Sequence, residues 1–202
     1  MKIFDISQEL FSCVVFPGDP APDRQILNSI ENGDLYNLTA LSMCAHNGTH
    51  VDAPSHFIKN GKTIDEIDLS KFIGEAFVAD FSGNVSAEDA KCILAKATAI
   101  SPESAKRILL KGETTVSLEA AKVFAESNVW LIGNESQTVG PEDAPLQVHL
   151  TLLGAEVVIL EGIRLSRVPE GVYLLNAAPI NLGDAEGSPC RAVLIKQHFC
   201  CP

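Results

Sequence analysis

Two short apolar runs in the second half of the chain constrain its fold most strongly. Val129 to Ile132 ends at Gly133, and Val157 to Leu160 ends at Glu161. Runs of this length without alternating polar residues are typical of buried strands. The segment between them, Gln147 to Leu153, has the pattern of a short helix. Strands mixed with helices in this way indicate an α/β protein.

The rest of the chain adds elements of both kinds. Strands are predicted at Lys2 to Ser7, Tyr36 to Cys44, Glu75 to Phe81, Ile108 to Lys111, Val172 to Ala177 and Ala192 to Lys196. Serines that can cap a first turn predict helices beginning at Ser86, at Ser101 and at Ser117, the last running to Ser127, and Leu69 to Ile73 resembles a helical turn. No repeat or linker divides the 202 residues, so we predict one domain, residues 1–202.

Charge and hydropathy exclude several partners. The net charge is −11 and no stripe of Lys or Arg occurs, which argues against binding to nucleic acid. No apolar stretch approaches the roughly twenty residues of a membrane-spanning helix. Asp5 and Glu9 interrupt the region where a signal peptide could begin. We therefore expect a cytoplasmic protein without a membrane partner.

The six cysteines are scattered without CxxC spacing, which argues against a zinc ribbon or a redox motif. We expect most of them to be reduced residues of the core or the tail. Cys44 lies two residues before His46, where a thiol ligand is an alternative. We favour a packing role for Cys44 over a ligand role. The pair Cys200 and Cys201 does not form a prenylation box.

Histidines cluster in one short segment, which holds three of the five in the chain. His46, His50 and His56 lie within eleven positions, together with Asp52. Imidazole nitrogens and a carboxylate are the donors expected for Zn²⁺, Mn²⁺ or Fe²⁺. This density of donors predicts a metal site.

The spacing favours a turn followed by an extended segment. Gly48 and Pro54 disfavour a helix, whereas a turn at Asn47 and Gly48 would let His46 reach the side on which His50 and Asp52 both point. Three protein ligands leave positions open for water, as in catalytic sites, and a metal lowers the pKa of bound water to about 7. We therefore expect a hydrolase, with His56 as a proton shuttle.

Two residues far downstream are further candidates. His149 lies in the predicted helix, and Glu161 ends a buried strand, where a carboxylate needs a partner. From the residues alone, Glu161 could equally be a cap or a member of a salt bridge, and His149 could lie on the surface.

The segment resembles the HxGTHxDxPxH signature of the cyclase-like metal hydrolases, which include bacterial kynurenine formamidase and isatin hydrolase. The similarity extends over nearly the whole chain. The matching segments are His46 to His56, Phe16 to Asp19, Gly133 to Pro141, His149 to Leu153 and Gly187 to Ala192.

The resemblance implies a fold, a set of ligands and a cofactor. The fold would be a single α/β domain of the swivelling β/β/α type, with a barrel-like mixed sheet and flanking helices, usually in a homodimer or a higher homo-oligomer. One or two divalent ions, Zn²⁺ or Mn²⁺, would be the cofactor. His46, His50 and Asp52 would bind one ion, Asp52 and Glu161 would bridge, His149 would complete a second site, and His56 would be the acid/base.

Departures from the family pattern bear on the small-molecule substrate. Phe16 stands where formamidases typically have Trp, and we expect it to line the substrate pocket. Asn134 and Glu135 replace Ile and Asp, and Gln137 replaces a common Pro. If these residues face the pocket, their polarity indicates a substrate other than N-formylkynurenine.

Three activities are compatible with this pattern. Hydrolysis of a formamide or cyclic amide is the first prediction, with His56 protonating the leaving nitrogen. Opening of a lactone or other cyclic ester, or a dehydration, is the second. A non-catalytic protein that binds a metal or metabolite is the third, and the presence of His56 argues against it.

Overall fold

The computed structural model describes residues 1–196, so Cys200 and Cys201 lie outside the described part of the chain. The strands are β1 (Lys2–Asp5), β2 (Asp23–Asn28), β3 (Leu38–Ser42), β4 (His50–Asp52), β5 (Ile73–Asp80), β6 (Gly83–Val85), β7 (Arg107–Lys111), β8 (Thr114–Val116), β9 (Leu131–Asn134), β10 (Val158–Glu161), β11 (Gly171–Asn176), β12 (Gly187–Pro189) and β13 (Val193–Lys196). The α-helices are α1 (Ala87–Ile100), α2 (Leu118–Glu126) and α3 (Leu146–Gly154).

Nine of these strands form one mixed sheet in the order β1-β13-β11-β5-β7-β9-β10-β4-β12. Neighbours from β5 to β10 run parallel, and the remaining neighbours run antiparallel. Two smaller sheets pair β2 with β3 and β6 with β8. This mixed sheet with helices confirms the predicted α/β class, whereas the assignment of residues 1–202 to one domain stays a prediction.

Alternate residues of the central strands supply two separate apolar clusters. Leu131 and Leu160 belong to the cluster that also holds Ile6, Val51 and other residues from most strands of the sheet. Their neighbours Ile132 and Ile159 belong to the cluster shared with the three helices. Both apolar runs are thus buried on both faces, as their composition predicts.

The helices begin where the serines predict. Ser86 and Asp89 form a reciprocal capping box at the start of α1, and the Ser117 hydroxyl accepts the Ala120 N–H at the start of α2. The helix predicted at Ser101 is a short 3₁₀ helix of five residues, Pro102–Lys106, because the chain enters β7 immediately afterwards.

Four strands escaped prediction. β6, β8 and β12 have three residues each, too few to show a periodic pattern, and β12 contains Pro189. β2 lies in an exposed ribbon with β3, so it lacks the alternation of apolar and polar residues that a half-buried strand shows. Within residues 1–196, no helix combines the length and the apolar character needed to cross a bilayer.

Burial of β9 on both faces should dominate stability. Ile132 is completely buried, whereas Ile100, at the end of α1, is 63% exposed. We expect Ile132→Ala to lower the free energy of unfolding by about 2–5 kcal/mol, because it leaves a cavity in a packed core. Ile100→Ala, the same substitution at the surface, should change it by less than about 0.5 kcal/mol. Urea unfolding measures both, and equal effects would contradict this account of the core.

Candidate metal centre

The pairing of β4 with β10 places the first donors side by side. His50 lies opposite Glu161, and Asp52 lies opposite Ile159 in this antiparallel pair. Since alternate residues of a strand point to the same side, His50 and Asp52 face one way and Val51 packs into the core. The extended segment predicted after the turn is therefore present, and its register brings Glu161 to it.

His46 reaches the cluster across the predicted turn, where Gly48 has φ +68°. Its Nδ1–H donates to Asp52 Oδ1 at 2.9 Å. On the other side, β12 places Gly187 opposite Asp52. A Cβ atom at Gly187 would lie 2.7 Å from His46 Cε1, so a glycine is needed here to make room for the ring.

His149 enters from α3, with its outer nitrogen occupied. Its Nδ1–H donates to the Pro145 carbonyl at 2.9 Å, which turns Nε2 inward to 3.4 Å from Glu161 Oε1. His50 is held in the same way, because its Nδ1–H donates to the Gly48 carbonyl at 3.1 Å and its Nε2 lies 3.5 Å from Asp52 Oδ1. Both inner nitrogens are free to act as ligands.

Two groups of donors could hold a cation. In each, the candidate ligand atoms lie within 4.8 Å of one another: His46, His50 and Asp52 form one group, and Asp52, His149 and Glu161 form the other. Asp52 belongs to both groups. Among residues 1–196, neither group includes a cysteine, so Cys44 is not part of the cluster.

The chemistry of the cluster fits a divalent cation. The Asp52 and Glu161 carboxylates are 1% and 3% exposed, and within the described chain no Lys or Arg side chain pairs with either. Glu161 accepts one backbone N–H, from Val139 at 2.7 Å. Two buried carboxylates require positive charge, and imidazole with carboxylate is a donor set for borderline divalent ions.

The pKa values show the same demand for positive charge. Burial favours the neutral ring of His46, but the hydrogen bond with Asp52 and the carboxylates around it outweigh burial and raise the pKa to about 9. In the same way, burial opposes but Glu161 and Asp52 raise the pKa of His50 and of His149. Burial works against ionisation of Asp52, yet His46 and His50 hold its pKa well below its usual range.

His56 lies beside the cluster but in neither group of donors. It ends a short 3₁₀ helix, Pro54–His56, and stacks on His46 with ring centroids 4.1 Å apart. Burial lowers the pKa of His56; Asp52 opposes this, and the positive charges of His46 and His149 add to it. The ring therefore favours its neutral form, in contrast to its three neighbours.

Four of the five donors, His46, His50, His149 and Glu161, line a cavity of about 240 Å³, together with His56. Its walls combine aromatic and polar side chains: Phe16, Asp19, Phe57, Gln137, Thr138 and Pro145. Phe16 lines this cavity, where the resemblance places it.

Of the three polar replacements expected at the pocket, Gln137 alone lines this cavity. Asn134 is buried and donates to the Thr138 carbonyl, closing its own loop. Glu135 faces elsewhere, because its carboxylate accepts the N–H groups of Gly112 and Leu165 at 2.7 Å each and lines a separate cavity of about 680 Å³. Consecutive residues at the end of β9 point to different sides, so the segment from Asn134 to Gln137 contributes side chains to two separate cavities.

Sequence reasoning also missed residues at the site. Glu186 places Oε1 3.4 Å from His46 Nε2, and its side chain is 48% exposed. Asp19 and Phe57 line the cavity. Glu186 and Phe57 adjoin segments already singled out, at Gly187 and His56, and Asp19 ends the loop that begins at Phe16. Position in the sequence does not show which way a side chain points.

Comparison with known proteins gives one consistent result. Residues 4–141 match the model of the family described as "Putative cyclase". A kynurenine formamidase from Bacillus anthracis is 33% identical, over 96% of this chain and 97% of its own. The structure of a potential metal-dependent hydrolase with cyclase activity is 25% identical, covers 98% of both chains and superposes with a TM-score of 0.79. Isatin hydrolase A from Labrenzia aggregata, 22% identical over 97% of this chain and 94% of its own, shares the fold with a TM-score of 0.79. The chain therefore belongs to the cyclase family.

Proposed function

We propose that this protein is a metal-dependent hydrolase that cleaves the C–N bond of a small aryl formamide or cyclic amide. The observation that carries the proposal is the pair of donor groups that share Asp52 and whose other members line a cavity with aromatic walls. The kynurenine formamidase and the metal-dependent hydrolase among its relatives support the reaction class.

The proposed ligands follow the two groups of donors. His46, His50 and Asp52 would hold one Zn²⁺ or Mn²⁺ ion, and His149 with Glu161 and the shared Asp52 would hold a second. A divalent ion bound here supplies a water of lowered pKa and polarises a carbonyl oxygen. Asp52 would serve both positions because it belongs to both groups. Glu161 would bridge as well, since its second oxygen, Oε2, lies 3.5 Å from His50 Nε2.

His56 is the proposed general acid/base. It touches the cluster through its stack on His46 but is not a member of either donor group, so its ring nitrogens stay available for protons. Because its pKa is lowered, the ring is neutral at pH 7 and can accept a proton from the attacking water. It would then deliver that proton to the leaving nitrogen, so that the amine departs uncharged.

The cavity favours a small aromatic substrate. Phe16 and Phe57 offer apolar walls on which an aryl ring can pack, and the volume of about 240 Å³ suits a compact molecule. With Asn134 and Glu135 outside this cavity, Phe16 and Gln137 are the remaining departures that bear on the choice of amide. These two side chains would set the selectivity among aryl amides.

The role of His56 predicts a loss of turnover without a loss of metal. His56→Ala should lower kcat by about 10²–10⁴-fold, because proton transfer to the leaving group is lost. The metal-to-chain ratio should stay at the wild-type value, measured by elemental analysis. Ser55→Ala, on the same turn, removes a hydroxyl that has no hydrogen-bond partner among residues 1–196, and it should retain wild-type turnover. Wild-type kcat in His56→Ala would show that His56 is not the acid/base.

The substrate class is tested on metal-reloaded protein. Protein freed of metal with a chelator and reloaded with Zn²⁺ or Mn²⁺ should hydrolyse aryl formamides or isatin-like lactams and should lose this activity again on chelation. Turnover of lactones alone would replace the amide assignment with cyclic-ester opening. No turnover across the panel by fully metal-loaded protein would indicate a protein that binds but does not catalyse.

The shared carboxylate predicts two ions per chain. Elemental analysis of protein reloaded with Zn²⁺ should give a ratio of about two, and His149→Ala should lower it to about one, since this histidine belongs to a single donor group. His46→Ala should empty the other position. A wild-type ratio of about one would instead make His149 and Glu161 supporting or pocket residues.

We also infer that the protein is a cytoplasmic homodimer or higher homo-oligomer. The ribbon of β2 and β3, residues 23–42, supports self-association because it exposes many large apolar side chains: Ile26, Leu27, Ile30, Leu35, Tyr36, Leu38 and Leu41. Their exposure ranges from 43% for Leu38 to 95% for Leu35. A concentration of exposed apolar residues on one small element is typical of an interface.

Charges on one face of this ribbon should break the assembly. Ile26 and Leu41 share a face, because Ile26 lies opposite Thr39 and Leu41 is two residues further along β3. The double variant Ile26→Asp with Leu41→Asp should sediment as a monomer in analytical ultracentrifugation. Gln25→Asp with Ala40→Asp, a directly opposed pair on the other face of the ribbon, should retain the wild-type mass. A wild-type protein that sediments as a monomer would refute the assembly.

A further inference from the structure

Gln8 and Gln137 join three segments that surround the donor cluster. The Gln8 Nε2 group donates to Gln137 Oε1 at 2.8 Å and to the Gly162 carbonyl at 2.9 Å. Gln137 Nε2 in turn donates to the Gly48 carbonyl at 3.1 Å. The chain therefore carries a continuous line of amide hydrogen bonds from its N-terminal segment to the turn before β4.

This hydrogen-bond network ends at the Gly48 carbonyl, which also orients the proposed ligand His50. The Gly48 carbonyl that accepts from Gln137 also accepts the Nδ1–H of His50 at 3.1 Å. With that nitrogen engaged as a donor, Nε2 carries the lone pair that faces Asp52 and Glu161. Gln137 thus fixes the carbonyl that orients His50.

Gln8 links the same network to the wall of the cavity. The Gln8 Oε1 atom accepts the N–H of Val14, two residues before Phe16, at 2.9 Å. The backbone N–H of Gln8 donates to Thr49 Oγ1 at 2.9 Å. The Thr49 hydroxyl then donates to the Gly162 carbonyl at 2.8 Å. Each polar atom of the Gln8 amide has a partner of the right kind, so a flipped amide would lose all three hydrogen bonds.

Gly162 is the point on which the network closes. It follows Glu161 directly and has φ +68°, a conformation that side chains rarely adopt. A Cβ at this position would lie 2.3 Å from Gln137 Oε1, 2.4 Å from the Gly48 oxygen and 2.5 Å from Gln8 Nε2. The segment that carries Glu161 therefore packs directly against the turn that carries His46 and against the two glutamine amides, with no room for a side chain at Gly162.

We propose that Gln8 and Gln137 are positioning residues that hold the turn with His46 and His50, the end of β10 with Glu161, and the loop with Phe16 in one arrangement. The inference rests on the proposed function, since it assigns a purpose to the proposed ligands. Neither glutamine belongs to a donor group, so each affects the metal ligands through the backbone that it holds. Because Gln8 bonds both to the network at the ligands and to the loop before Phe16, its loss should weaken metal binding and substrate binding together.

Methionine variants test this role. Gln8→Met and Gln137→Met keep the length of the side chain and remove its hydrogen bonds. We expect each to weaken Zn²⁺ binding by about 10–100-fold, the usual loss when a group that orients a metal ligand is removed. Competition with a chromophoric chelator measures this directly, without substrate. Gln8→Met should also raise KM for the aryl amide, because the loop with Phe16 is released.

A double variant and a control make the result specific. Because the two amides bond to each other, Gln8→Met with Gln137→Met should weaken Zn²⁺ binding by less than the product of the single effects. Gln147→Met, at an exposed position of α3 two residues before His149, makes the same substitution and should bind Zn²⁺ like the wild type. If Gln8→Met does not yield folded protein, Gln137→Met alone decides the question, with folding checked by urea unfolding.

The failure of this inference differs from failure of the proposed function. Wild-type protein that binds Zn²⁺ and hydrolyses aryl amides, together with folded methionine variants of unchanged Zn²⁺ affinity, would overturn the positioning role and leave the hydrolase intact. Wild-type protein that binds neither Zn²⁺ nor Mn²⁺ would overturn both.

Discussion

The antiparallel pairing of β4 with β10 is the constraint on which the site depends. It places His50 opposite Glu161 and turns Asp52 to the same side, so two carboxylates become buried within reach of one another. Buried carboxylates are costly unless positive charge surrounds them. Three imidazoles surround them, and a divalent ion bound among these donors would meet that requirement.

The burial of neighbouring strands on both faces allows the sheet to perform this role. Val51 and Leu160, which alternate with the functional residues, pack into one apolar cluster, while Ile159 and the apolar face of α3 pack into the other. The same packing that anchors α3 through Val148 and Leu152 directs His149 towards Glu161. Side chains for stability and side chains for chemistry thus alternate along the same elements.

Loops complete the site where the sheet ends, and close backbone contacts keep them in position. Gly48 turns the chain so that His46 meets Asp52, Gly187 leaves room for the imidazole, and Gly162 lets the turn approach the end of β10. The amides of Gln8 and Gln137 extend this order to the segment that carries Phe16. The cavity wall and the donor cluster are therefore parts of one hydrogen-bonded unit.

Much of this architecture is encoded locally and was predictable from the sequence. The helix starts at Ser86 and Ser117, the buried strands at residues 131–134 and 158–161, and the turn that leads into His50 and Asp52 all depend on neighbours a few positions apart. Only the family resemblance implied that His149 and Glu161 join the early histidines, and their own sequence neighbourhoods left this open. The tertiary structure alone decided that Glu186 approaches His46 and that Glu135 turns away to a different cavity. These outcomes depend on the register between strands more than a hundred residues apart and on which side of a strand end a side chain leaves. Local patterns carry no information on either, because the pairing energy resides in contacts that form when the sheet closes.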